Sequence, residues 1–138
     1  ASGEQSFLYL ANKGHLPAGK FQTTTPCFRN EPIDLLHRKC FMKTELINTK
    51  EITQSSLEKM IDEAFNFFTS YLPASKLKVI KVEAHQADIN YDIVAMVKQQ
   101  EIELGSYGIR QCEILKWVYG TGCAEPRLSL VINRFNLE

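Results

Sequence analysis

The sequence predicts an α+β fold in which an antiparallel β-sheet is flanked by helices. Three observations carry this. Short stretches of alternating apolar and polar residues recur along the chain, the period of a half-buried strand. Residues 55–71 instead repeat apolar side chains at three- and four-residue steps, the period of a helix. The order is strand pair, helix, several strands, helix, which is not the regular alternation of a doubly wound parallel sheet.

Residues 1–20 are mixed, and Gly14, Pro17 and Gly19 mark them as loop. Residues 21–28, with Thr23, Thr24 and Thr25, read as a strand that enters a turn at Pro26. A polar loop holding Pro32 follows, and residues 40–47 return as a second strand, closing a long-looped hairpin. Ser55 and Glu58 form a capping-box pattern. Leu57, Met60, Ile61, Ala64, Phe65, Phe68 and Leu72 then make one apolar stripe, read as core packing against the sheet, until Pro73 ends the helix. Strands are expected over 77–82, 89–97 and 100–105. In the last of these Ile102 and Leu104 face the core, while Glu101 and Glu103 line the opposite face. Residues 117–119 read as a short strand, Gly120-Thr121-Gly122 as a tight turn, and residues 124–135 as a final helix with Pro126 in its first turn.

The chain has 138 residues, 44% hydrophobic and 23% charged, enough for one domain with its own core. This composition excludes a disordered, collagen-like or repeat protein. Lys+Arg and Asp+Glu both number 16, so the totals show no strongly basic surface for nucleic acid. No apolar run approaches the roughly 20 residues of a membrane helix, and no signal-peptide pattern is visible. The four cysteines are sparse for a disulfide framework and read as reduced thiols of a cytoplasmic protein. His15 and His85 stand isolated and read as ordinary surface or core histidines.

Two constellations carry chemistry. The first is Pro26-Cys27-Phe28-Arg29-Asn30-Glu31, followed by His37-Arg38 and Phe41. It sets Arg29 and Glu31 on one strand face, two further cations in a loop, and an aromatic ring on the return strand. Such a set suits a nucleoside triphosphate. Arg29 would fork onto a phosphate, Glu31 would accept from the adenine amino group, Phe41 would stack on the base, and His37 and Arg38 would reach the outer phosphates. A plain surface hairpin is the competing reading. The second constellation is Gly120-Thr121-Gly122-Cys123-Ala124-Glu125-Pro126-Arg127. Its glycines allow close backbone approach, and Arg127 adds a cation at a helix start. An ordinary turn before a core helix is the alternative.

Taken together, the two constellations resemble motifs 2 and 3 of the class II aminoacyl-tRNA synthetases. The motif 2-like segment spans 26–47 and the motif 3-like segment 117–135, within a single domain over residues 1–138. Phe28-Arg29-Asn30-Glu31 with Phe41 to Glu45 is similar to motif 2. The spacing Gly120-x-Gly122-x-Ala124-x-x-Arg127 looks most like the seryl-type motif 3, a type shared with amino acid:carrier-protein ligases. Asp92-Ile93-Val94 and Glu101 to Ser106 resemble the strands between the motifs. The resemblance implies a reduced class II core that binds ATP and Mg2+ and forms an aminoacyl-adenylate, for tRNA or another acceptor such as a carrier protein. It implies Arg29 on the α-phosphate, Arg127 on the γ-phosphate, Glu103 on magnesium, and Glu103 with Ser106 at the amino-acid substrate. Gly105-Ser106-Tyr107-Gly108 hints at a small amino acid. Zinc is a weaker implication: Cys27, Glu45 and Cys123 offer the ligand types used by some seryl-like relatives, at a different spacing.

Residues 1–20 are too few for the usual motif 1 module that should precede motif 2, and the tRNA-gripping arm and anticodon module are likewise expected to lie outside this sequence. The expectation is a homodimer, or a partner that supplies motif 1. The alternative functions are a non-catalytic paralogue acting as a binding or regulatory module, and a fragment of a larger synthetase.

Overall fold

The computed structural model describes residues 2–83 and 89–137, apart from the side chains of Ile89 and Cys123. His85 lies outside the described residues. The fold is α+β, as the sequence predicts. A six-stranded antiparallel sheet has the order β1-β2-β6-β5-β4-β3. Its strands are β1 (Lys20–Phe28), β2 (Cys40–Asn48), β3 (Leu77–Glu83), β4 (Ile89–Val97), β5 (Gln100–Gln111) and β6 (Lys116–Glu125). Helices α1 (Gly3–Asn12), α2 (Gln54–Thr69) and α3 (Arg127–Asn136) flank it. None of these helices is long and apolar enough to cross a membrane.

Helix α2 carries the predicted stripe. Leu57, Ile61 and Phe68, with Leu72 beyond the helix end, are buried against Ile93, Ala95, Ile102, Leu104 and Val118 on the back of the sheet. Met60, Ala64 and Phe65 pack beside them, and Leu128 and Val131 of α3 complete the same core. The helix start differs from the expected capping box. Thr53, not Ser55, is the N-cap, in extended backbone, and its side chain accepts from the Ser56 amide.

The remaining corrections share one cause, small residues read as punctuation. Residues 3–12 form a helix rather than a loop. Ser2 and Gln5 make its capping box, and Phe7 and Leu8 pack on Ile47, Trp117 and Tyr119 of the front face. Strand β5 continues six residues past Gly105. Gly120 and Gly122 sit inside β6, not in a turn. Helix α3 begins at Arg127, with Pro126 at its N-cap position rather than in its first turn.

The glycines serve inter-strand approach. Gly122 pairs with Thr44 on one side and Gly105 on the other. A Cβ on Gly122 would stand 2.6 Å from the Leu104 carbonyl oxygen and 2.8 Å from the Gly105 Cα. Those are backbone atoms that cannot step aside. Gly122→Ala should therefore cost about 1–3 kcal/mol and lower the melting temperature by roughly 4–8 °C. Calorimetry checks this, and an unchanged midpoint would mean the two strands yield at this point.

A bulge decides which residues reach the site. Ile93 pairs with Gly105 but Val94 pairs with Glu103, leaving Leu104 as the extra residue of β5. Glu103 and Ser106, three apart, would lie on opposite faces of a regular strand. The bulge brings both to the front, beside Val94 and Asp92 respectively.

Candidate functional site

The front face carries a groove of about 290 Å3, open to solvent. Hairpin β1–β2 forms one wall, with Arg29, Phe41 and Lys43. The strands β5 and β6 give its floor, with Glu103 and Thr121, and Arg127 stands at the far side where α3 begins. The structure thus gathers Arg29, His37, Phe41, Glu103 and Arg127, all predicted from sequence, around one space. A smaller, tight recess adjoins it, where Glu31 and Arg38 join Arg29, His37, Phe41 and Arg127.

The placement of Arg29 and Glu31 differs in detail from expectation. Strand β1 ends at Phe28, so both lie in the loop rather than on a strand face. The loop is nonetheless ordered. The Arg29 amide donates to the Lys39 carbonyl at 2.9 Å and closes its neck. Asp34 Oδ1 accepts from the amides of Leu36 and His37, both at 2.7 Å, an Asx-type turn. The His37 ring pairs with the same carboxylate at 2.8 Å. The His37 side chain, followed by the Leu36 amide, holds the Asp34 carboxyl below the ordinary range.

Three cations face Glu103. Arg127 Nη1 donates to the Glu103 carbonyl at 3.4 Å, and its Nε donates to the Leu36 carbonyl at 3.5 Å. Arg127 therefore ties the loop to the floor through two long, weak bonds, and among the described residues it pairs with no carboxylate. The Arg29 guanidinium lies 5.1 Å from the centre of the Phe41 ring. Partial desolvation in the groove pushes the Glu103 carboxyl up, and the charge of Asp92 adds to this; Arg127, Arg29 and Lys43 oppose it.

Sequence reasoning missed Lys43. It is mostly buried on the groove wall and pairs with Glu45 at 3.3 Å. Its alternation with Phe41 on β2 was the available signal. Glu45 is itself buried and also accepts from the Glu4 amide at 2.9 Å, so it anchors the first turn of α1. These bonds commit Glu45 to structure. No group of three or more metal-binding side chains forms among the described residues, and the Cys123 side chain proposed for zinc is not one of them.

Ser106 does not line the groove. It donates to Asp92 at 2.7 Å and bonds Asn90 at 3.1 Å. Asn90 also accepts from the Tyr119 hydroxyl. Arg110 stacks 3.8 Å from the Tyr119 ring centre and pairs with Glu4 at 2.6 Å. Burial pushes the Tyr119 hydroxyl up, against the Arg110 charge. This polar layer continues the front face under α1. Gly105 makes room within the sheet for the Tyr107 ring and for Gly122.

The single-sided placement of cations above carboxylates can hold a polyanion at one end and a cation at the other. A phosphate chain with a divalent ion has that charge distribution, and so does an amino acid beside a phosphate.

No protein-family model matches the sequence, and no curated protein matches it. Among solved structures, the pyrrolysyl-tRNA synthetase of Desulfitobacterium hafniense superposes in two structures at a TM-score of 0.66. Sequence identity is 13% and 12%, and the alignments cover 94% of this chain. They cover 48% and 47% of the synthetase chains, so this chain spans about half their length. Likeness at this identity speaks for the fold alone: the six-stranded antiparallel sheet with its flanking helices is similar in fold to about half of that class II aminoacyl-tRNA synthetase chain.

Proposed function

We propose that the groove binds ATP with magnesium and activates an amino acid as its adenylate. The observation that supports this is the convergence of Arg29, Phe41, Glu103 and Arg127 on one space, from segments far apart in the chain. A scaffold role needs no such gathering of charge.

In this reading Phe41 stacks on the base and Glu31 accepts from its amino group in the adjoining recess. Arg29 holds the α-phosphate, Arg127 the γ-phosphate, and His37 and Arg38 meet the outer phosphates. An oxygen of the amino-acid carboxylate attacks the α-phosphorus; the new P–O bond forms as the bond to pyrophosphate breaks. No protein nucleophile takes part. The chain contributes position and charge neutralisation. Glu103 fits magnesium, which commonly takes one or two carboxylates alongside substrate phosphates and water. Magnesium when bound would neutralise phosphate charge. The resemblance puts Ser106 with Glu103 at the amino acid; Ser106 shares the front face with Glu103, bonded to Asp92, outside the groove's lining. The motif spacing favours a seryl-type relative, with tRNA or a carrier protein as acceptor and a second chain, identical or not, supplying motif 1.

Amino-acid-dependent exchange of labelled pyrophosphate into ATP, run with all twenty amino acids, tests the reading. Exchange with one amino acid names the substrate. ATP binding without exchange would instead support a second reading, a non-catalytic binding module. Glu31→Ala should lower the preference for ATP over GTP by roughly 3–10-fold, the worth of one ordinary hydrogen bond at an exposed position. Competition binding measures it. Unchanged preference would place adenine recognition elsewhere.

A further inference from the structure

Arg29 has one guanidinium and two claimants. In the structure it rests on the Phe41 ring, 5.1 Å from the ring centre. Among the described residues no carboxylate ion-pairs with it. Its backbone is fixed, because its amide bonds Lys39 at the neck of the loop. Only side-chain torsions need change for the guanidinium to move. Among the described residues Phe41 is the one phenyl ring lining either recess of the groove.

A guanidinium on a part-exposed ring such as Phe41 is held weakly. A forked, charge-assisted bond to phosphate is stronger. A phosphate within reach therefore takes the guanidinium from the ring, and the ring surface it leaves becomes available to a base.

We propose that Arg29 is a specificity-determining residue that makes base stacking on Phe41 conditional on phosphate. Phosphate and base then bind cooperatively. An unphosphorylated nucleoside must displace the guanidinium with nothing to receive it, so the groove discriminates against nucleosides and other bare aromatic ligands. The coupling equals the strength of the ring contact, about two- to five-fold in affinity. This rests on the nucleotide reading of the groove given above.

The test measures binding of adenosine, inorganic tripolyphosphate and ATP by titration calorimetry or NMR. Wild type, Arg29→Ala and Phe41→Leu are compared, each checked for fold by its melting temperature. Adenosine should bind Arg29→Ala about two- to five-fold more tightly than wild type, while tripolyphosphate binds it more weakly. Saturating tripolyphosphate should tighten adenosine binding to wild type by the same factor and leave Arg29→Ala unchanged. Phe41→Leu should abolish the gain. Adenosine binding that is equal or weaker in Arg29→Ala overturns the coupling. If ATP still binds wild type in that case, the nucleotide reading stands and only the coupling falls. If ATP fails to bind wild type, both fall together.

Discussion

Arg127→Ala should reduce pyrophosphate exchange by roughly 10²–10³-fold, the usual loss for a preorganised charge aimed at a transition state. Its melting temperature should stay within about 4 °C of wild type, because the bonds it loses are two long contacts to carbonyl groups. A second signature follows from Glu103. Its carboxyl already lies above the ordinary range, and Arg127 is the first of the cations opposing that rise. Removing Arg127 raises it further. A proton then competes with a cation for Glu103 at higher pH than in wild type. The acid limb of ATP·Mg2+ binding should move toward neutral pH in the variant. A variant with normal exchange and an unmoved acid limb would remove Arg127 from the site.

The largest stability effect is expected at Glu45. Its buried carboxylate pairs with Lys43 and receives the first turn of α1. Glu45→Ala leaves a mostly buried ammonium and a helix amide without their acceptor. The cost should be about 2–4 kcal/mol, or on the order of 10 °C in melting temperature. Glu45→Gln should cost less, since an amide oxygen can still receive the Glu4 amide. Helix α1 should also loosen in Glu45→Ala, seen as faster hydrogen exchange at Phe7 and Leu8. A melting temperature within about 2 °C of wild type would show that α1 docks by its apolar side chains alone.

The strands were legible because alternation is local. The stripe of α2 was legible because seven apolar side chains keep helical spacing, and all of them enter the back core. Helix α1 was hidden because the glycines and proline just after it drew its short capping box into a loop. The lengths of β5 and β6 were hidden because Gly105, Gly120 and Gly122 answer to neighbouring strands, which no local pattern shows. The turn between β4 and β5 was legible only from the strands on either side, which the pattern bounds at 97 and 100. Lys98 and Gln99 take positive φ there without the Asn or Gly that usually marks such a turn. For the site, Arg29, Phe41, Glu103 and Arg127 were recoverable through motif resemblance, and the groove does gather them. Ser106 was displaced from expectation because its partners, Asp92 and Asn90, lie on the adjacent strand. The Glu4–Arg110 pair joins nearly opposite ends of the sequence and has no local trace.

The strand order has a kinetic side. Hairpin β1–β2 can form early, since its partners are close in sequence, and so can the β3–β4–β5–β6 meander. The ladder between β2 and β6 joins residues as distant as Asn48 and Val118, or Met42 and Glu125. Such a closure comes late and slowly, because the loop entropy precedes any contact that repays it. The groove straddles that seam, with Arg29 and Phe41 on one side and Glu103 and Arg127 on the other. Any ligand that bridges them therefore acts as a clamp on the last step of folding. At a hundredfold excess over its Kd it would add about 2.7 kcal/mol to the native state.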